Sequence, residues 1–395
     1  MADKKDFKEV QLNVEEIEEK IMEHRRRIFN RVVRILFILM ACVAGAGLWM
    51  ALKSYNSYEI KNTIELGDKS AARYKAFAGN ILEYSNDGIV YMDNVGTQIW
   101  NQSFEMVSPQ ISTCQKYMAV FDKNGTDIYL MNENGLVKNI ETTMLISTVC
   151  VADQGSLAVL MIEDDNYYVK LYDQNGKELA GGEFFGEQGK IPIDIALSYD
   201  AQKLAVDMVD ITSGSLNTTI SFYNFGSVGQ NEINNIVGSY TYEDVLIPEI
   251  AYVSDDRMIA LGNDRFMIFD GTQKPKLKKE VKLDKEVSNV FYTEKYIGMA
   301  YSNNDEKGTM HICVYDMSGN MTMENDTDMQ YSNIDFLSNN EVCLTSQYEC
   351  EIYTVHSIKK FSYTFDTEIY KVLYESGVNN YVIIHEGAMD EVRLK

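Results

Sequence analysis

Histidine is scarce, with four residues in 395. His311, His356 and His385 fall in separate segments with no second ligand at metal spacing, so no metal centre is read from them. Cysteine excludes as much. None of the six is adjacent to another and no pair shows CxxC spacing, which indicates neither zinc nor a disulfide framework. Four prolines and the lack of any low-complexity run argue against a disordered stalk. Positive charge is also short, since 36 Lys and Arg face 59 Asp and Glu for a net −23. Residues 1–52 hold nine basic against eight acidic residues, so the remainder carries −24. A surface this acidic repels nucleic acid and anionic lipid and suits a cationic partner. Catalytic signatures are missing as well: there is no phosphate loop, no G-x-G-x-x-G and no G-x-S-x-G elbow. Gly226-Ser227-Val228-Gly229 has the wrong spacing for the last of these.

One long uncharged run is present. Ile35 to Leu52 contains eighteen residues without a charge, and at 1.5 Å per residue it would span about 27 Å, near the thickness of a bilayer core. Arg25, Arg26, Arg27, Arg31 and Arg34 crowd its N-terminal side. They predict a single-pass anchor in the cell membrane, with residues 1–34 in the cytoplasm and the C-terminal part extracytoplasmic. A cleavage site near Ala44-Gly45-Ala46 would demand an unusually long leading region. A lipid-modified Cys42 would follow too short an apolar core. Within residues 1–34, Asn13 and Glu16 form a capping box, and Val14, Ile17, Ile21 and Ile28 keep helical spacing. Ala41/Gly45 and Gly47/Ala51 are small residues four apart, compatible with a weak homodimer. Residues 53–57 read as a linker.

From residue 58 the pattern becomes short alternating strands separated by Gly turns. One unit recurs as IVYMDNVGTQIW (89–100), DIYLMNENGLVKNI (127–140), VKLYDQNGKELA (169–180), MIFDGTQKPKLKKEV (267–281) and ICVYDMSGNMTME (312–324), with weaker copies at 219–230 and 350–363. A second unit runs in phase with it, as in ISTCQKYMAVF (111–121), VCVADQGSLAVL (149–160) and IALSYDAQKLAV (195–206). The period is that of a four-stranded propeller blade. The expected fold class is therefore all-β: a β-propeller over residues 58–395 after one N-terminal helix. Seven repeats are complete and residues 371–395 hold a truncated eighth, so eight blades are expected, with seven the alternative. Strand 58–66 is expected to pair with the C-terminal blade and close the ring, removing an open sheet edge.

The unit Tyr91, Asp93, Gly96 and Trp100 resembles the blade signature of quinoprotein-dehydrogenase-like and WD-repeat-like propellers, and Asp173 with Gly176 and Asp316 with Gly319 repeat its turn. The plan also resembles bacterial single-pass membrane proteins with an external propeller. Quinone-using members of that group hold a calcium-bound cofactor over a vicinal cysteine pair. No such pair occurs here, so the resemblance implies neither cofactor nor dehydrogenase activity. Non-catalytic relatives imply a scaffold role in envelope assembly.

Candidate binding residues follow from loop length, because long loops on a rigid frame commonly carry recognition. Labelling blade strands A to D from the axis outward, the B–C and inter-blade loops share one face. The longest B–C connections bring Glu163, Asp164, Asp165, Asp210, Ser213, Asn304, Asp305 and Glu306 to that face, and Gly226–Tyr242 is read as an inter-blade stretch beside them. Asp122-Lys123-Asn124-Gly125-Thr126-Asp127 alternates oxygen ligands like a small calcium loop, but no glutamate closes it. Lys274, Lys276, Lys278, Lys279 and Lys282 are expected on an outer strand, where lysine discourages edge-to-edge pairing. Cys343 and Cys350 should face each other across a hairpin, as a disulfide or as two buried thiols. The expected function is a non-catalytic scaffold or sensor that binds an envelope protein or a cell-wall polymer. The alternative is an enzyme acting on cell-wall or extracellular material through the axial channel.

Overall fold

The computed structural model describes residues 21–22, 24–42, 45, 53–66, 72–185, 189–212, 214–303 and 309–395. Two compact units divide at Ser54 and Tyr55. In the first, residues 24–42 are helical and carry all five arginines of the basic cluster on exposed positions. Among the described residues no helix is long and apolar enough to cross a membrane. Residues 43–44 and 46–52 of the expected span lie outside the described residues, as does the capping box at Asn13.

The second unit consists of eight four-stranded antiparallel sheets, each built from strands consecutive in the chain except the last. This is an eight-bladed propeller. The first strands of blades 1 to 8 are Arg73–Phe77, Pro109–Cys114, Leu145–Val151, Lys190–Leu197, Glu249–Tyr252, Asn289–Tyr292, Asn333–Phe336 and Ile369–Tyr374. They surround the axis. The second strands are the most deeply buried, and their small residues Ala119, Ala158, Ala205, Ala260 and Ala300 are all 0% exposed. Small side chains one step from the axis let neighbouring sheets approach where the ring is narrow. Fourth strands such as Gln98–Ser103 and Lys276–Lys282 are mostly exposed.

No single core exists. The apolar side chains form eight clusters, one at each blade–blade interface. The signature residues act at these seams. Asp93 Oδ1 accepts the backbone N–H groups of Val95 and Thr97, and Asp173 Oδ1 and Asp316 Oδ1 do the same for their own turns. Gly96, Gly176 and Gly319 take φ of +75°, +79° and +76°, and a Cβ on each would press on the outer strand of the preceding blade. Trp100 Nε1 donates to Glu133 O of the following blade at 3.0 Å, while its ring packs on Tyr91. The motif is thus a turn that also staples adjacent blades.

Blade 8 takes three strands from the C-terminus, and Tyr58–Glu65 pairs antiparallel with Ala388–Leu394 as its fourth. Thr63 Oγ1 donates to Asp390 Oδ1 at 2.6 Å, and His385 Nε2 lies 3.0 Å from the other oxygen. Pro109 opens its strand and Pro248 immediately precedes one. Pro192 differs: it sits third in Lys190–Leu197, beside a bulge between Pro192 and Asp194 that accommodates its missing N–H.

Candidate functional site: the B–C face and the axial channel

Glu163 ends the second strand of blade 3, and Asp164 and Asp165 form the two-residue turn after it, with φ of +48° and +64°. Two left-handed residues in succession match the twist of a tight hairpin. All three side chains are exposed. Asp210 ends the corresponding strand of blade 4. Its Oδ1 accepts Thr212 N and Thr212 Oγ1, and these hydrogen bonds hold the carboxyl below its ordinary value. Ser213, Asn304, Asp305 and Glu306 lie outside the described residues. The chain reaches the propeller on the opposite face, where Ser57 O accepts Lys395 N.

Two expectations are corrected by the register. Gly226–Asn235 connects the third and fourth strands of blade 4, and Ile236–Glu243 is that fourth strand. The stretch therefore joins C to D and emerges on the face opposite the B–C loops. Cys343 pairs with Ile352, and Cys350 with Thr345, so the two cysteines are diagonal rather than opposite. Both are buried free thiols with Sγ atoms 3.8 Å apart. Asp122, the first acid of the calcium-like loop, spends its carboxylate on Ser108 N at 2.7 Å and Val107 N at 3.2 Å, fastening the connection between blades 1 and 2. Lys276, Lys278, Lys279 and Lys282 do lie on the outer strand of blade 5, whereas Lys274 sits in the turn before it. There it pairs with Glu232, and Lys278 pairs with Asp270 at 2.7 Å.

The axis holds groups that loop length does not reveal. A cavity of about 730 Å³ is lined by the inner strands of seven blades. A second, of about 430 Å³, shares the lining residues Lys75 and Asp335 with it. Neither is plugged by aliphatic side chains alone. At the A–B end, Gln115 Nε2 of blade 2 donates to Glu294 Oε1 of blade 6 at 2.7 Å. Blades 2 and 6 are opposite members of the ring, so this bond crosses the axis.

Charge inside the channel is divided by side. Asp194 of blade 4 accepts Ile195 N and Ile250 N, both at 2.9 Å. Burial nevertheless pushes its carboxyl up to about 7. Glu249 of blade 5 is also raised by burial, against the pull of a hydrogen bond from Tyr292. On the other side stand Lys75 of blade 1 and Lys371 of blade 8, with Asp335 of blade 7 3.5 Å from Lys371. Burial lowers the Lys75 ammonium, with Asp335 opposing that shift and Lys371 adding to it. Behind Asp194, across the strand pair, Asp207 is fully buried with neither carboxylate oxygen hydrogen-bonded. Burial, then the charge of Asp194, drives it up to about 8.

The family model described as Family of unknown function (DUF5711) matches residues 51–394. No curated protein matches the chain. Among solved structures, the C-terminal WD40 domain of Sif2 is similar with a TM-score of 0.57 at 10% identity, over 87% of this chain and 100% of that one. Chaetomium thermophilum Sqt1, solved bound to the N-terminus of the ribosomal protein L10, gives 0.51 at 10% identity, over 86% and 100%. BamB from Moraxella catarrhalis gives 0.49 at 11% identity, over 86% and 100%. At identities this low the likeness to Sif2 and Sqt1 shows the propeller fold alone.

Proposed function

The chain belongs to the family DUF5711, and for it we propose a non-catalytic binding role. In this reading residues 35–52 tether the propeller to the cell membrane, with the propeller outside the cytoplasm. The B–C face receives a basic segment of another envelope protein. One observation carries the reading, namely the composition of that face. Asp87, Glu163, Asp164, Asp165, Asp244, Asp284, Glu286, Asp366 and Glu386 are exposed in its turns and inter-blade connections, against the exposed lysines Lys123 and Lys285. Among them stand Val107, 86% exposed, and Ile211, 55% exposed. Acidic groups around isolated apolar side chains complement a cationic segment that carries a few apolar anchors, and complementary charge speeds its capture. The face opposite receives the chain's own Tyr55–Ser57, which leaves the B–C side unobstructed by that connection. Sqt1 illustrates that the propeller fold can present a surface to a terminal peptide of another protein, an analogy at the level of fold.

Photo-crosslinking in intact cells tests the surface, with a probe at Glu163 or Asp366 and a control at Lys276. A discrete protein adduct from the first two and none from Lys276 is expected. Adducts only to polysaccharide, or none at all, would overturn the protein-binding reading. The tether has its own test. A Lys276→Cys variant should react with a membrane-impermeant maleimide in intact cells; labelling confined to lysed cells would refute the extracytoplasmic placement.

A further inference from the structure

The axial channel carries acidic and basic groups on facing walls. In an eight-membered ring, blade 1 stands opposite blade 5 and blade 4 opposite blade 8. The basic residues Lys75 and Lys371 therefore confront the acidic residues Glu249 and Asp194. Lys371 is partly satisfied by Asp335 at 3.5 Å. Asp335 also lies near enough to Lys75 to oppose the burial of its charge, whereas no basic group does the same for Asp194 or Glu249. Among the described residues no ion pair within 4 Å reaches Asp194, Glu249 or Lys75, and Lys75 Nζ donates to Ile111 O at 3.5 Å. Charges removed from bulk water without a counter-charge are unfavourable, and they are relieved by whatever supplies that counter-charge. For Asp194 and Glu249 the chain does not supply it, because the cavity lies between them and the basic wall.

We propose that the channel binds a small dipolar molecule, an amino-carboxylate whose anionic end meets Lys75 and whose cationic end meets Asp194 and Glu249. A volume of about 730 Å³ is in the range of small-molecule sites, and polar groups at fixed positions in such a site set ligand orientation. Two backbone N–H groups hold Asp194, so this part of the acidic wall is already oriented before a ligand arrives. Glu294, tied to Gln115 across the axis, limits the depth available at the A–B end. Nothing in this site overlaps the B–C turns, so it stands or falls separately from the protein-binding role.

Unbranched ω-amino acids from glycine to 8-aminooctanoate serve as probes, titrated calorimetrically into the full chain beside alkyl carboxylates and alkylamines of the same lengths. A preferred length is expected, bound at least tenfold more tightly than either singly charged analogue. Lys75→Met and Glu249→Gln should each weaken that member tenfold or more, while Lys276→Met should leave it unchanged. Failure of every ω-amino acid to bind, binding equalled by a singly charged analogue, or binding indifferent to both channel substitutions would overturn the proposal. The analogue comparison uses the unaltered protein, so it decides the matter even where a variant folds poorly.

Discussion

Asp207 is a carboxyl in a place that disfavours its charge, and its ionisation couples the fold to pH. Its folded value is raised to about 8, above that of an unfolded chain, so the folded state holds the proton more tightly. The resulting stability is complete at pH values below the unfolded carboxyl range near 4 and is lost as pH climbs to about 8. Asp207→Asn should therefore match the parent near pH 4 and exceed it by roughly 5 kcal/mol at pH 9, the distance from about 4 to about 8 at about 1.4 kcal/mol per pH unit, as read by urea unfolding at both pH values. A parallel decline in the variant would assign the pH dependence elsewhere. Gly176 gives a second residue-level expectation. With φ at +79° and Ile140 Cγ1 3.1 Å from where a Cβ would stand, Gly176→Ala should cost roughly 1–2 kcal/mol. Gly182→Ala, where the nearest atom is 4.0 Å away and φ is not positive, should be close to neutral in the same unfolding assay.

The closing strand is where an element's contribution can be isolated. Asp390 is 6% exposed and relies on Thr63 and His385 as partners. Thr63→Val keeps the shape and removes one donor to a buried carboxylate, a loss of about 1–3 kcal/mol. A melting temperature unchanged by this substitution would mean that the strand adds little to closure. The blades themselves were readable in the chain because two repeated units share one register, and each unit has a local cause: an Asp-capped turn with a left-handed glycine, and a second strand requiring alanine. Gly226–Tyr242 misled because its eleven-residue C–D connection, Phe225–Asn235, has the length of an inter-blade linker. Length alone carries no information about which face a loop leaves from. The diagonal placing of Cys343 and Cys350 depends on which residues of Thr345–Tyr348 make the turn, a shift too small for pattern to fix.

At the scale of the whole molecule, the channel was hidden for a different reason. Lys75, Asp194, Glu249, Asp335 and Lys371 come from five blades, and each reads in isolation as one polar residue in a short strand. Only closure of the ring makes them neighbours. The surviving trace is a charged residue within an apolar run of an inner strand, Asp194 after Ile191-Pro192-Ile193 and Lys371 in IYKVLY. The acidic face predicts behaviour of the assembled protein. Reversing Glu163, Asp164 and Asp165 together to lysine should reduce adduct formation from a probe at Asp366 at least fivefold. Adduct formation by the parent should also fall as salt rises through 0.15 M, where screening acts within about 8 Å. Yields insensitive to both would indicate a partner held by apolar contact.

Ring closure also sets a schedule for biosynthesis. Thr63 and Asp390 are 327 positions apart in the chain, and at 5–20 residues per second the ribosome takes roughly 15–65 s to deliver the second after the first. Throughout that interval Tyr58–Glu65 is a strand without a partner, while seven complete blades can form one after another behind it. The segment emerging earliest from the propeller-coding sequence is thus the last to find its sheet. A nascent chain stalled before Ala388 would hold seven finished sheets and two unmatched edges, vulnerable to chaperones, proteases or a neighbouring copy until the final strand appears.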